Sequence, residues 1–251
     1  MNPYGGEGPW TGIRSGGGIW REFCSVSGAS HAPSGIVAML DHHGVIDTMS
    51  FDEACQTGVD FDHCDALTTF MCSFGRRHRQ DALSVDAAYH PMVAECDGCI
   101  FTDYREGYHR DVDVYREPWM GPRCVGIRGD KGQVADLMRK PVLLFDDNEE
   151  NIDLLRLRSS PNVPLDGVLV RRGRNAHRPV PPGYLCENDP REWVQICRRF
   201  GSAYSSDVTG DGPRMLHEAR PPDAKFAAAF PQDGLLGSCS SKARCHSHRC
   251  W

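Results

Sequence analysis

Short apolar runs that end abruptly at a polar side chain recur along the middle of the chain. Three of them stand out: residues 36–40 end at Asp41, residues 66–72 end at Ser73, and residues 141–145 end at Asp146. Apolar runs without alternation are typical of strands that are covered on both faces, as in a parallel sheet. The pattern therefore predicts three buried parallel strands, each followed by a polar group.

Segments with a helical period lie between these runs. Residues 130–140 place Val134, Leu137 and Met138 on one helix face, and Asn148 is a residue type that caps a helix start. Further elements are predicted in the same way: strands at 98–103 and 167–171 and a closing amphipathic helix at 190–200. Because strands and helices alternate, we predict an α/β fold of the Rossmann-like type, with a parallel sheet and helices on both faces.

The composition changes towards both ends of the chain. Residues 1–35 hold nine glycines and no apolar period, and the segment from residue 201 is rich in Gly, Ser, Pro and Asp. Such compositions are typical of loops or disorder. We expect a flexible N-terminal segment over 1–35, a folded domain over 36–200 and a disordered C-terminal tail over 201–251.

The overall composition of the 251 residues is that of a soluble globular protein, with 40% hydrophobic and 25% charged residues. A net charge of −6 argues against a broad binding surface for nucleic acid or for an anionic membrane. No apolar stretch approaches the roughly 18 residues of a membrane-spanning helix, and the first residues lack the features of a secretory signal. We expect a cytoplasmic protein.

Twelve cysteines are an unusual number. Without a signal segment we expect them to be reduced thiols. Cys96 and Cys99 form a C-x-x-C pair, but the second half of a zinc-ribbon pattern is missing. The cysteines and histidines at 239–250 have ligand chemistry but no framework, so we expect them to be incidental.

The polar groups that end the predicted strands carry the candidate chemistry. In an open parallel sheet, ligands bind outside the carboxyl ends of the strands, so these groups should converge. They are Asp41, Ser73, Asp146 and Asp147. Carboxylates gathered in one place repel one another, and a hard cation such as Mg²⁺ relieves the repulsion. Lys131, at the start of the preceding helix, would offer a cation to an anionic substrate.

The order of these residues resembles the four motifs of the haloacid dehalogenase (HAD) superfamily. Residues 40–48, LDHHGVIDT, are similar to the first motif, in which an apolar strand is followed by D-x-D-G. Ser73 is similar to the residue of the second motif, and Lys131 is similar to the residue of the third. Residues 145–151, FDDNEEN, are similar to the fourth. The resemblance covers about residues 36–200.

The resemblance implies phosphoryl transfer through an aspartyl-phosphate. Asp41 would be the nucleophile, and Lys131 with the Ser73 hydroxyl would hold the transferring oxygens. The Mg²⁺ ligands that it implies are Asp41, Asp146, Asp147 and the backbone carbonyl of His43.

His43 departs from the family pattern, because it replaces the second Asp of the first motif. That residue protonates the leaving group in the family's phosphatases. Imidazole has an ordinary pKa near 6.5 and can act as a general acid or base, but its size and charge differ from those of a carboxylate. An inactive HAD-like binding or scaffold protein therefore stays open as an alternative. Asp47, four positions later, lies near enough in sequence to sit beside the site.

The space between the motifs bears on the substrate. Only 21 residues span 44–64, which is too few for a large helical cap, so we expect a minimal cap and an open site. Such a site would admit a phosphorylated small molecule or a macromolecular end. The basic stretches at 76–79 and 171–174 leave a nucleic-acid end-processing phosphatase as a further alternative, although such runs are more often solvated surfaces.

Overall fold

The computed structural model describes residues 17–29, 35–74, 90–103 and 112–205. In these ranges the helices are α1 (Gly17–Val26), α2 (Phe51–Asp62), α3 (Pro91–Glu95), α4 (Lys131–Met138), α5 (Glu149–Arg156) and α6 (Pro190–Ser205). The strands are β1 (Ile36–Leu40), β2 (Leu67–Phe74), β3 (Gly98–Thr102), β4 (Asp113–Tyr115), β5 (Cys124–Arg128), β6 (Val142–Asp146), β7 (Leu165–Leu169) and β8 (Leu185–Cys186). No helix in these ranges is long and apolar enough to cross a membrane.

The described strands form one sheet in the order β4-β5-β3-β2-β1-β6-β7-β8. Every neighbouring pair is parallel except β4 and β5 at one edge. This arrangement confirms the predicted α/β fold of the Rossmann-like type.

Successive side chains of the central strand β1 point to opposite faces of the sheet, so the core has one apolar cluster on each face. In β1, Ala38 and Leu40 belong to one apolar cluster, and Val37 and Met39 belong to the other. The first cluster is covered by α2, α3 and α6, and the second by α1, α4 and α5. Because β1 is buried on both faces, it has no polar position, which explains its continuous apolar run.

The chain reverses direction across the sheet between β1 and β6. From β1 it moves outward through β2, β3 and β5, and it then returns to place β6 on the other side of β1. The register pairs Leu40 with Phe145, so Asp41 and Asp146 follow at the same level. A reversal of this kind opens a crevice at the carboxyl ends of the two strands, where ligands bind in open α/β sheets.

Two helices at this end of the sheet start at capped residues. Asp130 and Gln133 form a reciprocal capping box at the start of α4. The Asn148 side chain accepts a hydrogen bond from the Glu150 N–H at the start of α5, as the sequence predicts. Ser50 and Glu53 form another box that starts α2, a helix that the apolar pattern did not indicate.

The expectation of a flexible segment over residues 1–35 is corrected for its described part. Residues 17–26 form α1, and the side chains of Trp20 and Phe23 are fully buried in the core. The Phe23 ring lies 5.5 Å from the ring of Phe70 in β2. The free energy gained by burying two large aromatic rings exceeds the cost of placing two glycines at the start of α1. Residues 1–16 and 206–251 lie outside the described ranges, and α6 continues past the expected boundary at residue 200.

Trp20→Ala tests whether α1 is part of the folded domain. We expect the free energy of unfolding to fall by about 3–5 kcal/mol, because the substitution leaves a large cavity in the core. Phe51→Ala is the matched control, since Phe51 is 68% exposed. Urea unfolding of both variants measures the difference, and equal stabilities would contradict the role given to α1.

Candidate functional site

Three carboxylates meet at the crevice between β1 and β6, and we call them the carboxylate cluster: Asp41, Asp146 and Asp147. One oxygen of each lies within 4.8 Å of the others, and Asp41 and Asp146 are buried. The Asp41 N–H donates to the Phe145 carbonyl over 2.9 Å, which ties the ends of the two strands together.

Lys131, the first residue of α4, lies between two members of the carboxylate cluster. Its Nζ is 2.9 Å from Asp41 Oδ1 and 2.6 Å from Asp146 Oδ2, and the side chain is 2% exposed. Burial by itself lowers the pKa of Lys131, but Asp146 and Asp41 outweigh that effect and hold the pKa above its ordinary value. Lys131 is therefore a buried ammonium ion with two anionic partners.

Asp146 is fully buried, and its two carboxylate oxygens both accept hydrogen bonds. The Asn151 Nδ2 donates to both of them, at 3.0 and 3.1 Å. The Asn148 N–H donates to Oδ1 over 2.9 Å. Together with Lys131, these donors satisfy both oxygens of a carboxylate that water does not reach. Sequence reasoning gave Asn151 no role, although it lies one helical turn after the Asn148 cap.

Asp41 differs from Asp146 because its donors all reach one oxygen. The His42 N–H donates to Oδ1 over 2.8 Å, and Lys131 binds the same atom. No hydrogen bond within the described ranges reaches Oδ2, which leaves this oxygen to a ligand. Burial raises the pKa of Asp41 to about 7; Lys131 opposes the rise, and Asp146 adds to it.

Asp147 completes the carboxylate cluster from the loop after β6. Burial and the charge of Asp146 raise its pKa, and the Asn175 side chain donates to its Oδ2. The loop after β1 lies directly against it at Gly44, where any Cβ would collide with the carboxylate. Gly44 also has a φ of +82°, so this position needs glycine for two reasons. Asn175 is a further residue that the sequence did not indicate.

The residues of the carboxylate cluster fit a bound metal ion. Three buried or partly buried carboxylates face one ammonium ion, so negative charge is in excess. All the donor atoms are oxygens, and oxygen ligands are preferred by hard divalent cations. The cluster could therefore hold a metal ion.

Among the described residues, no hydrogen bond links Ser73 to the carboxylate cluster. Ser73 lies within β2, which runs to Phe74, and its buried hydroxyl has no hydrogen-bond partner among the described residues. The adjacent Cys72 packs in the same core cluster as Met39, and its pKa is raised to about 12 by burial, with Lys131, Asp41 and Asp146 acting on it as well. Since neighbouring side chains of a strand point to opposite faces, Cys72 and Ser73 lie on opposite faces of β2.

The His43 imidazole belongs to a second group of candidate ligand atoms, with His42 and Asp47. Its Nδ1 lies 3.3 Å from Asp47 Oδ2 and 3.4 Å from His42 Nδ1. The other oxygen of Asp47 accepts the Gly44 N–H over 2.6 Å. Burial by itself raises the pKa of Asp47, but the bonds from His43 and Gly44 outweigh it and hold the pKa below the ordinary value.

Other sequence features have structural roles or fall outside the described ranges. Buried Arg171 donates to the Asp147 carbonyl and to Glu149, and Arg172 binds Thr48 and Glu53, so the basic run at 171–174 ties loops together. Cys96 and Cys99 are buried free thiols, and the candidate metal groups found among the described residues contain no cysteine. The basic stretch at 76–79 and the cysteines and histidines at 239–250 lie outside the described ranges.

Comparisons of the chain with protein-family models, with characterised proteins and with solved structures give no match. The resemblance to the HAD superfamily therefore depends on the motif residues and on where the fold places them. Those residues now have a geometry: Asp41, Lys131 and Asp146 are in direct contact, whereas Ser73 and the His43 ring are not part of that contact.

Lys131→Met tests the charge balance of the site. The substitution leaves Asp41 and Asp146 buried without their cation, so we expect the free energy of unfolding to fall by about 3–5 kcal/mol. Added Mg²⁺ should restore part of this loss, because a bound cation replaces the missing charge. Lys140→Met is the matched control, with an expected change within about 1 kcal/mol. Equal urea-unfolding curves for the two variants would contradict the account.

The raised pKa of Asp41 predicts a pH dependence of stability in the metal-free protein. Between the unfolded value of 3.8 and about 7, the native state binds more protons at Asp41 than the unfolded chain does. The free energy of unfolding should therefore fall as the pH rises from about 4 to about 7. Asp41→Asn removes this contribution. Urea unfolding in the presence of a chelator measures both proteins, and parallel curves over this pH window would be inconsistent with a raised pKa.

Proposed function

We propose that this protein is a Mg²⁺-dependent phosphatase or phosphotransferase of the HAD type, acting through an aspartyl-phosphate on Asp41. The observation that carries the proposal is the arrangement around Asp41. This carboxylate lies at the crevice of an open α/β sheet, beside a buried ammonium ion and two further carboxylates, and its Oδ1 is already hydrogen-bonded. A carboxylate held in this way is oriented for attack on an electrophile.

Asp41, Asp146 and Asp147 would hold the Mg²⁺. The all-oxygen donor set favours Mg²⁺ over softer transition metals. When bound, the ion would reduce the repulsion between the Asp41 carboxylate and the anionic phosphate ester. Lys131 supplies a fixed positive charge beside Asp41, and Asn151 keeps Asp146 in position.

The proposed reaction has two displacements at phosphorus. Asp41 Oδ2 attacks, a P–O bond forms, and the P–O bond to the leaving group breaks while the leaving oxygen takes a proton. Water then attacks the phosphorus of the aspartyl-phosphate and gives up a proton, which releases inorganic phosphate and restores the carboxylate. An alcohol in place of water gives phosphotransfer instead.

His43 is the candidate for both proton transfers. As imidazolium it can protonate the leaving oxygen, and as imidazole it can take the proton of water. Asp47 lies beside Nδ1, so proton transfer falls to Nε2. An imidazole oriented by a carboxylate is a recurrent arrangement for general acid and base catalysis.

The surroundings of Asp147 support an anionic substrate. Arg174 and Arg178 are exposed, and their charges act on the Asp147 carboxylate. We propose a phosphorylated small molecule or macromolecular end as the substrate.

The nine described cysteines are free thiols, which supports a cytoplasmic location.

A binding or scaffold protein without turnover is the second candidate. Two observations favour it: the His43 ring pairs with Asp47 and His42, and Lys131 already forms ion pairs with two of the carboxylates. Such a protein would bind Mg²⁺ or a phosphate ester but would not hydrolyse it.

Hydrolysis of an aryl phosphate in the presence of Mg²⁺ separates the two candidates. We expect activity in the full chain, abolition by chelator, and a loss of at least about 10³-fold in kcat for Asp41→Asn, because the nucleophile is removed. His43→Ala should lose about 10²-fold, the usual contribution of general acid and base catalysis. Asp52→Asn, at an exposed position of α2, is the matched control and should retain full activity.

Absence of turnover over a broad pH range, with Mg²⁺ binding intact, would reject the enzyme and leave the binding protein. Activity that survives Asp41→Asn would reject the aspartyl-phosphate.

A further inference from the structure

A second group of side chains with metal-ligand chemistry lies on the loop that follows β1. His42, His43 and Asp47 each offer one ligand atom, and these atoms lie within 4.8 Å of one another. The group shares no residue with the carboxylate cluster. We propose that these three side chains form a binding site for a transition-metal dication of the Zn²⁺ type.

The distances between the donor atoms suit a metal ion bound between them. His42 Nδ1 lies 3.4 Å from His43 Nδ1, which lies 3.3 Å from Asp47 Oδ2. Hydrogen bonds between such atoms are usually about 2.7–3.2 Å long. Zn²⁺ binds these ligand types at about 2.0–2.1 Å, which places two ligands of a tetrahedral ion roughly 3.3–3.4 Å apart.

The approach of the two rings also suits a cation between them. The imidazoles approach each other through their Nδ1 atoms, and each Nδ1 either carries one proton or presents one lone pair. A metal ion accepts the lone pairs of both rings and the charge of Asp47 at once.

The backbone of the loop orients the carboxylate ligand. The Gly44 N–H donates to Asp47 Oδ1 over 2.6 Å, which leaves Oδ2 facing His43. The Asp47 N–H donates to the His42 carbonyl over 2.9 Å, so the loop closes between its ligands. Hydrogen bonds to the outer atoms of a ligand are a common way in which proteins fix metal sites.

The ligand types separate this site from the carboxylate cluster. Two imidazoles and one carboxylate suit Zn²⁺ and its neighbours, whereas three carboxylates suit Mg²⁺. Three protein ligands also leave one position of a tetrahedral ion open to water. His42 is buried, but the His43 and Asp47 side chains are 38% and 39% exposed, so an ion can reach them from solvent.

Binding of a metal ion at this site would also affect catalysis, and this effect alone rests on the proposed function. A metal ion bound to Nδ1 of His43 holds the ring as a ligand, so the ring is no longer available for proton transfer. Micromolar Zn²⁺ would then inhibit the Mg²⁺-dependent reaction.

Co²⁺ is the probe for the site itself, because its visible absorption reports the number and geometry of its ligands. The full chain, stripped of metal, is titrated with Co²⁺ without substrate. We expect the wild-type protein to bind one Co²⁺ more than His43→Ala does, with the intense absorption of a four-coordinate ion, and we expect Zn²⁺ to displace it. His42→Ala and Asp47→Asn should each weaken binding at least about tenfold.

Two controls locate the ion. Asp146→Asn alters only the carboxylate cluster and should keep the Co²⁺ absorption, and His63→Ala removes an exposed histidine outside the group. Other ligands in the chain bind Co²⁺ equally in the wild type and in each variant. The difference in bound Co²⁺ between the wild type and a variant therefore reports this site. Thermal unfolding without metal shows which variants are folded. If His43→Ala does not fold, His43→Gln is used in its place.

Equal Co²⁺ stoichiometry and equal spectra for the wild type and His43→Ala would overturn the proposal. Loss of the absorption in Asp146→Asn alone would overturn it as well, because the ion would then sit in the carboxylate cluster. Since no substrate is present, absence of phosphatase activity leaves the outcome unchanged.

Discussion

The buried contact of Lys131 with Asp41 and Asp146 holds the candidate site together. Each carboxylate ends one of two adjacent strands, and without the ammonium ion the two negative charges would repel each other where water cannot screen them. The position of Lys131 depends on two neighbours. The Asp130 capping box starts α4 at this residue, and Gly132 lets the helix approach the Leu154 carbonyl of α5 more closely than any side chain would permit.

The sheet topology determines which charges Lys131 meets. Because β6 returns to the free side of β1, the register brings Asp41 and Asp146 to one level at the crevice of the sheet. Asn148 and Asn151 then satisfy the oxygens of Asp146 from the start of α5, and the Asp41 Oδ2 is left for a ligand. The same backbone arrangement thus provides a rigid anion, a fixed cation and a carboxylate oxygen oriented for binding. This combination is the physical basis of the proposed phosphoryl-transfer function.

Much of this site could be predicted from the sequence, because its main residues directly follow or start regular elements. A strand that is buried on both faces leaves a continuous apolar run, so the ends of β1 and β6 located Asp41 and Asp146. Lys131 followed from the helical period of α4. The length of β2 did not follow from the sequence, because the strand runs to Phe74 and Ser73 lies inside it instead of after it.

Other features depend on conformation that the residue pattern does not reveal. The pairing of His43 with Asp47 depends on the positive φ of Gly44, which folds the loop back on itself. Asn175 reaches Asp147 from a loop that is distant in sequence. The sequence pattern did not predict α1, because glycine-rich segments usually indicate loops. The spacing of Trp20 and Phe23, about one helical turn apart, is the signal that could have indicated this helix.

The most direct test of the central account is a crystal structure of the full chain with Mg²⁺ and beryllium fluoride, which mimics a phosphoryl group on a carboxylate. The account predicts beryllium fluoride bonded to Asp41 Oδ2, with Mg²⁺ bound by Asp41, Asp146 and Asp147 and with Lys131 still in contact with the site. Beryllium fluoride bound elsewhere, or an Asp41 that carries none while Mg²⁺ occupies the carboxylate cluster, would contradict it.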